Sequence, residues 1–498
     1  MRVLCFQRLR RSLGNKDEDE ISPKHCLRAK PEFARGLCIK DIVSLNDEIS
    51  KIAPAIYAVS ENIKPEYYMD FLKKTAKNIL RWEAKLVLKK YKPKIIAITG
   101  SVGKTLTREA VYLVLSKRFF VRRSEKSFTA ELGIPLTIIG SPYGMTTWFD
   151  LIQAGFFALK IIVIKSAYPK WLILELDGDK PGDLSGLSYL NIDILVMTVM
   201  GEVPVHTEAF RDIEALLFEQ RSIMASMKKD GVIIYNADDL RTVNLLQDRE
   251  GRKVSCGIGK VFDVGGSDFE IIYNDEKYTT PTGMSFDIIS EKDLYGVTSQ
   301  GSIGVQNEYS SLLAFAVGLE FGLQPSVITA SLNKNRSLPG RMNFIPGLKD
   351  SIIIDDSYNS SPVAMFQAMS VLSRLKSSGR KIAIIGDMLE LGKYSADEHR
   401  KIAEQIKDSA SFVICVGLRA KKILEELINL GFGQSNIISV DSSVEAGKEL
   451  QKILQAGDMI LVKGSQAMRM EKVVEEVMMC PEDKNRLLVR QEKEWLNR

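Results

Sequence analysis

The stretch from Lys94 to Ala110 (Lys-Ile-Ile-Ala-Ile-Thr-Gly-Ser-Val-Gly-Lys-Thr-Leu-Thr-Arg-Glu-Ala) constrains the fold more than any other. The apolar, β-branched run Ile95 to Ile98 reads as a buried strand, Gly100 to Gly103 permits a tight turn, and the residues from Thr107 onward favour a helix. In a strand, glycine loop and helix of this kind, backbone N–H groups and the helix N-terminus point at one spot. Lys104 adds a full positive charge there and Thr105 a hydroxyl, a combination that suits a polyphosphate with Mg²⁺. The spacing is Gly-x-x-Gly-Lys-Thr, with Ile98 where the general pattern has its first glycine, so an ordinary strand-to-helix turn is the competing reading.

A length of 498 residues is too great for one core and calls for about three domains. The net charge of +5 is small for this length, and basic and acidic residues are interleaved, so nucleic-acid binding gains no support. Six scattered cysteines without a Cys-x-x-Cys pair argue against a zinc ribbon or a disulfide framework and fit a reducing cytoplasm. Met1 to Ser12 is basic but lacks the continuous apolar core and small-residue cleavage site of a secretory signal.

Residues 1–40, with the acidic run Asp17 to Glu20, have the composition of a mobile tail. From 41 to 93 apolar residues recur at helical spacing (Ile52, Ile56, Val59; Phe71, Ala76, Ile79, Leu80; Leu86, Leu88), which predicts two or three helices. Trp148 to Lys165 reads as a helix with a thin polar stripe of Asp150, Gln153 and Lys160. It either packs against the domain or lies on a membrane surface. Short apolar runs at Trp171 to Leu176, Ile194 to Val199 and Gly231 to Asn236 describe a doubly wound parallel sheet, and 250–300 alternates as appended antiparallel hairpins. Past Pro339-Gly340, four further runs (Ile352 to Asp356, Lys381 to Gly386, Phe412 to Gly417, Met459 to Gly464) predict a second, Rossmann-like α/β domain. The expected organisation is a tail (1–40), a helical segment (41–93), a central domain (94–338) and a C-terminal domain (339–498).

Ligands of open α/β sheets sit beyond the carboxyl ends of strands, so these ends are expected to form one cleft. They supply Lys104 and Thr105, Glu175, His206, the Asn236-Ala-Asp-Asp239 loop, Arg341, Asp355 to Asn359, and Lys463. Singly, Glu175 reads as a surface carboxylate and His206 as a satisfied core residue. Together with Pro181-Gly-Asp183, Pro204-Val-His206, Pro339-Gly-Arg341, Gly386-Asp-Met-Leu-Glu-Leu-Gly392 with His399, and Val462-Lys-Gly-Ser465 with Met468-Arg-Met470, they resemble the ATP-dependent Mur ligases, and within them the MurF-type branch.

The resemblance implies an ATP-dependent amide ligase of peptidoglycan precursor synthesis, which transfers the γ-phosphoryl group of ATP to a carboxylate and lets an amine attack the acyl phosphate. Its substrates would be a nucleotide-linked muramoyl-peptide and a dipeptide such as D-alanyl-D-alanine, and the enzyme would be a cytoplasmic monomer. Gly100, Ser101, Val102, Gly103, Lys104, Thr105 and Leu106 would bind the ATP phosphates. Asn307 would face the adenine, Asp356 the ribose and Arg341 the phosphates, with Tyr358 and Asn359 beside the nucleotide. Lys104, Glu175 and His206 would be catalytic, with Thr105 and Glu175 holding one Mg²⁺ and His206 a second. The pattern departs from the family at Thr129-Ala130, Gln306, Ser310 and Gln220, the last standing where a carbamylated lysine is usual, with Glu219 expected to help there. Two other readings share these residues: a related ligase with a different acceptor, and a nucleotide-binding homologue without turnover.

Overall fold

The structure is a computed structural model that describes residues 65–124, 130–141, 148–274, 280–492 and 495. The expected tail, the helical pattern over 41–64 and Thr129 lie outside these residues. Two compact units divide at Lys74 and Thr75, inside the first described helix, and the contacts given below all lie in the second, from Thr75 onward.

The first half contains α1 (Pro65–Tyr91), β1 (Lys94–Thr99), α2 (Lys104–Leu115), β2 (Val121–Arg123), α3 (Ala130–Ile139), α4 (Trp148–Val163), β3 (Trp171–Glu175), β4 (Ile192–Met197), α5 (Ile213–Ser222), β5 (Met227–Asn236) and α6 (Leu240–Leu245). There follow β6 (Lys253–Ile258), β7 (Val264–Gly266), β8 (Glu270–Tyr273), β9 (Pro281–Ser290), β10 (Asp293–Gln300), α7 (Val305–Glu320) and α8 (Pro325–Leu332). Where 41–93 was expected to hold two or three helices, the described part is the single helix α1, because no glycine or proline interrupts the apolar spacing between Pro65 and Tyr91.

These strands form a ten-stranded sheet in the order β10-β9-β7-β6-β5-β4-β1-β3-β2, with β8 on β9. β1 lies between β3 and β4, parallel to both. The hairpins expected over 250–300 are present, β9 pairing antiparallel with β7, β8 and β10. The apolar run of β1 reflects burial on two faces. Ile96 and Ile98 join one core, Ile95 and Ala97 the opposite one, where Leu80, Ala84 and Val87 of α1 and Ala154 and Ala158 of α4 cover the sheet.

The second half contains β11 (Asn343–Pro346), β12 (Ile352–Asp356), α9 (Pro362–Arg374), β13 (Lys381–Gly386), α10 (Ser395–Ser409), β14 (Phe412–Val416), α11 (Lys421–Asn429), β15 (Ile437–Val440), α12 (Ser443–Ile453), β16 (Met459–Lys463) and α13 (Glu471–Val477). Its sheet runs β11-β12-β16-β13-β14-β15, parallel except for the edge strand β11. The four expected strands are all present. β15 escaped the sequence reading because a four-residue, half-exposed edge strand carries no continuous apolar run. One buried cluster, from Ile96 and Ile98 through Leu312 to Ile354, Met365 and Leu461, is shared by the facing sides of the two sheets. It sets the carboxyl ends of β1, β3, β12 and β16 around a common space.

Candidate active site

The turn after β1 is shaped by two glycines that no other residue could replace. Gly100 (φ 133°) and Gly103 (φ 91°) have positive φ, and a Cβ would stand 2.1 Å from Thr198 Oγ1 at the first and 2.6 Å from Gln306 Oε1 at the second. The Ser101 and Val102 amides donate to Val199 O, pinning the loop to the end of β4, and α2 starts at Lys104 with its N-terminus at the cleft. Ser101 to Thr105, Glu175, His206, Arg341, Tyr358 and Asn359 line a cleft of about 820 Å³. Val102, Leu106, Asn307, Arg341, Asp356 and Lys463 line an adjoining cavity of about 500 Å³. All the expected nucleotide-binding positions except Gly100, which sits beneath the loop, therefore face one continuous space.

Lys104 Nζ donates to Gly100 O (2.8 Å) and pairs with Asp177 Oδ1 at 3.0 Å. Burial acts to lower its pKa, but Asp177, Glu175 and Asp179 together hold it above the usual lysine range, so it stays an ammonium. Glu175, at the end of β3, accepts from the Thr105 hydroxyl (2.8 Å) and from Arg108 Nη1 (2.8 Å). Burial and then Asp177 push its carboxyl up, against Arg108 and Lys104.

Arg341 lies just beyond the Pro339-Gly340 turn, stacks its guanidinium 3.9 Å over the Tyr358 ring, and reaches Thr105 Oγ1 at 3.4 Å. A residue of the second half thus touches the start of α2, directly after the glycine loop of the first. Asp356 pairs with the fully buried Lys463 at 2.5 Å, and Lys463 also donates to Asn359 O at 3.0 Å. Asp355 accepts from the Gly340 and Ser357 amides and fixes that turn; burial pushes its carboxyl up to about 6. Asn307 Nδ2 donates to Ile303 O (3.2 Å), which orients the side chain beside the smaller cavity.

His206 is gripped from both halves of the molecule. Its Nε2 lies 3.1 Å from Asp179 Oδ1 and its Nδ1 2.6 Å from Glu390 Oε2, while Thr207 Oγ1 donates to Glu390 O. Burial alone would lower the imidazole pKa, but the two carboxylates outweigh it and raise it. His206 (φ 68°) and Glu390 (φ 66°) both adopt the left-handed conformation, which costs a non-glycine residue on the order of 1 kcal/mol. Sequence reasoning missed Asp177 and Asp179, and it included Glu390 only as part of the Gly386 to Gly392 motif, without a role. The acidic run Glu175-Leu-Asp-Gly-Asp179 directly after a strand was a usable signal, whereas Glu390 meets His206 only through the fold.

Two expectations are corrected. The Asn236 to Asp239 loop does not line the cleft: Asp239 accepts from the Met200 and Gly201 amides, and Asp238 from Ile258 N and the Tyr309 hydroxyl. Nor is Glu219 turned toward a metal, because its Oε1 accepts from the Leu184 and Ser185 amides. Gln220 is buried, accepts from Thr99 Oγ1 at 2.9 Å and packs beneath Gly178. Ser310 accepts from Thr107 Oγ1 and ties α2 to α7. His399 Nε2 accepts from the Met388 amide and, kept neutral by burial, braces the 386–392 turn.

Among the described residues no three His, Cys, Asp or Glu side chains form a ready metal cage. The donors at the loop still fit Mg²⁺, which takes one or two carboxylates and fills its remaining positions with water and phosphate oxygens. Thr105 Oγ1 and Glu175 Oε1 are hard oxygens on the cleft wall, 2.8 Å apart. His206 fits less well, since both its ring nitrogens face carboxylates.

Residues 98–318 match the Mur ligase middle domain and 340–466 the Mur ligase glutamate ligase domain. The chain is 25% identical over 433 residues to the UDP-N-acetylmuramoyl-tripeptide--D-alanyl-D-alanine ligase of Bacillus subtilis, covering 86% of each. It is 23% identical over 387 residues to the Escherichia coli enzyme of the same name, covering 76% of each. Among solved structures, the MurF ligase of Thermotoga maritima in complex with ADP superposes with a TM-score of 0.64 at 22% identity, covering 81% of this chain and 83% of that one.

Proposed function

The chain belongs to the Mur ligase family, and from that premise we propose that it is an ADP-forming amide ligase that joins D-alanyl-D-alanine to a UDP-muramoyl-tripeptide. The observation that carries this reading is the meeting of Lys104, Arg341 and the Asp356–Lys463 pair, drawn from both matched domains, around one cleft. The reading is supported by relatives of that name aligned over most of their length.

A carboxylate does not condense with an amine at neutral pH, so it must first be activated. A carboxylate oxygen bonds to the γ-phosphorus of ATP as the β–γ bridging bond breaks, releasing ADP. The amine nitrogen then attacks the acyl carbon, and phosphate leaves with its bonding pair. Lys104, kept as an ammonium by three carboxylates, neutralises charge on the transferring group from a fixed position. Arg341, braced on Tyr358, holds the phosphates from the opposite wall. Asp356, locked by Lys463, accepts from the ribose hydroxyls, and Asn307 turns its amide to the base. Thr105 and Glu175 would hold Mg²⁺, which when bound polarises the phosphate oxygens. Contact between the two domains excludes water that would otherwise hydrolyse the activated acyl group. We place this chemistry in the cytoplasm, where nucleotide-linked precursors are found.

A coupled ADP-release assay tests the reading. ADP should form only when ATP, UDP-muramoyl-tripeptide and D-alanyl-D-alanine are all present. Equal release with an unrelated acceptor would transfer the chain to another ligase class, and tight ATP binding without any release would make it a non-catalytic homologue.

A further inference from the structure

Helix α4 presents to solvent the side chains that a soluble helix would bury. Ala154, Ala158, Ile161 and Ile162 pack on the sheet and α1, yet Ile152 (53% exposed), Phe156 (69%), Leu159 (39%) and Val163 (58%) recur at i, i+4, i+7 and i+11 along the opposite face, continued by Ile164 (54%). A stripe of this length on a monomer's surface normally marks a contact surface. The polar stripe expected from the sequence is displaced: Gln153 is only half-buried at the flank, and the centre of the exposed arc is apolar throughout. The helix is 16 residues long, and no helix among the described residues is long and apolar enough to cross a membrane.

The surroundings of the stripe are basic. Residues 151–170 contain no Asp or Glu, and Lys160, Lys165 and Lys170 are exposed. The carboxyl end of α1 is fastened to the same place, Lys90 Nζ donating to the carbonyls of Ile161, Ile162 and Ile164 and the Tyr91 hydroxyl to Ile161 O. It brings exposed Lys89, Lys90 and Lys92 beside the end of α4. The one acidic side chain of α1 in this stretch, Glu83, is buried near Gly155 on the inner side of α4, where burial pushes its carboxyl up to about 8, so it takes no charge to the surface at neutral pH.

We propose that α4, with the lysines around its carboxyl end, docks the protein on an anionic lipid bilayer, burying Ile152, Phe156, Leu159 and Val163 in the headgroup boundary while Lys160 and Lys165 meet lipid phosphates. The charge pattern selects this occupant. A second copy related by a two-fold axis would set one lysine rim against another, whereas a negative lipid surface complements both stripe and rim.

The test is flotation of the full chain with vesicles of phosphatidylcholine alone or with phosphatidylglycerol, at low and high salt. Wild type should float with phosphatidylglycerol vesicles and less well in high salt. Phe156→Asp/Val163→Asp should lose roughly tenfold or more of the bound fraction, and Lys160→Glu/Lys165→Glu should lose the preference for phosphatidylglycerol. ATP turnover in solution should be the same in all three proteins, which reports that the variants are folded. Equal flotation of wild type and Phe156→Asp/Val163→Asp, or no flotation of wild type, overturns the proposal. So does a wild-type dimer in lipid-free solution that the aspartates dissolve, because the stripe would then belong to a second copy.

Discussion

Replacing Glu308 by glutamine should flatten part of the pH dependence of stability and leave catalysis alone. Glu308 is fully buried on α7, and among the described residues neither carboxylate oxygen has a hydrogen-bond partner. Burial first, then Asp268, push its carboxyl from 4.5 up to about 8, against Arg374. The folded chain therefore keeps a proton that the unfolded chain loses above its own carboxylate pKa. Stability falls as pH rises through the window between the two values, and levels off above the upper one. From about pH 5 to about pH 8, some three pH units at about 1.4 kcal/mol each give a loss of about 4 kcal/mol from this one group. Glu308→Gln keeps the shape and neutrality of the protonated acid but cannot ionise. Urea unfolding of both proteins at about pH 5, 7 and 9 reads the difference, which should open in favour of the variant with rising pH. Since the wild type is already mostly neutral here at pH 7, ATP turnover should match. Parallel pH profiles, with the same loss in both proteins, would refute the assignment of a buried neutral acid at this position.

Lys104→Ala should lower turnover about 10²–10³-fold with the fold intact by circular dichroism, and wild-type activity would remove the lysine from the phosphate site. Arg341→Ala and Asp356→Ala should each weaken ATP use although Lys104 lies in the other domain; unchanged ATP titrations in both would show that the two domains do not share a nucleotide. Lys463→Met strands the Asp356 carboxylate in a buried setting and should cost about 3–5 kcal/mol in chemical denaturation, so a loss under 1 kcal/mol would count against a tight pair there. With Gln220 already engaged by Thr99 and carrying no amine, wild-type activity should need raised Mg²⁺ and ignore added bicarbonate. A bicarbonate response would mean that a carbamylated lysine elsewhere does the work.

The central parallel strands of both sheets were legible because each is buried on two faces and shows as an uninterrupted apolar run; Ile95 to Ile98 divides between two cores, and Ile353 and Ile354 do the same. The edge strands β2, β11 and β15 carry no such run, and β9 and β10 showed only as alternation. The glycine loop after β1 was legible for a different reason: its glycines answer a backbone geometry that other residues adopt only under strain. What could not be read was contact between distant loops. Glu390 reaches His206 from 184 positions away, and Asp177 and Asp179 look like any polar turn until Lys104 and His206 are placed against them. The Asn236 to Asp239 loop misled in the opposite sense, since carboxylates past a strand end serve backbone amides as readily as ligands.

The strand order of the second sheet bears on how the chain can be made. β16 is among the last elements in sequence yet lies in the middle of its sheet, hydrogen-bonded to β12 on one side and β13 on the other. During synthesis the ten-stranded sheet can assemble once β10 has emerged, but the second sheet stays split into a β11–β12 pair and a β13–β15 group until residue 463 leaves the ribosome. Until then the apolar edges of β12 and β13 are exposed to aggregation. A chain ending before Met459 would therefore lose the whole second sheet and not merely its last strand.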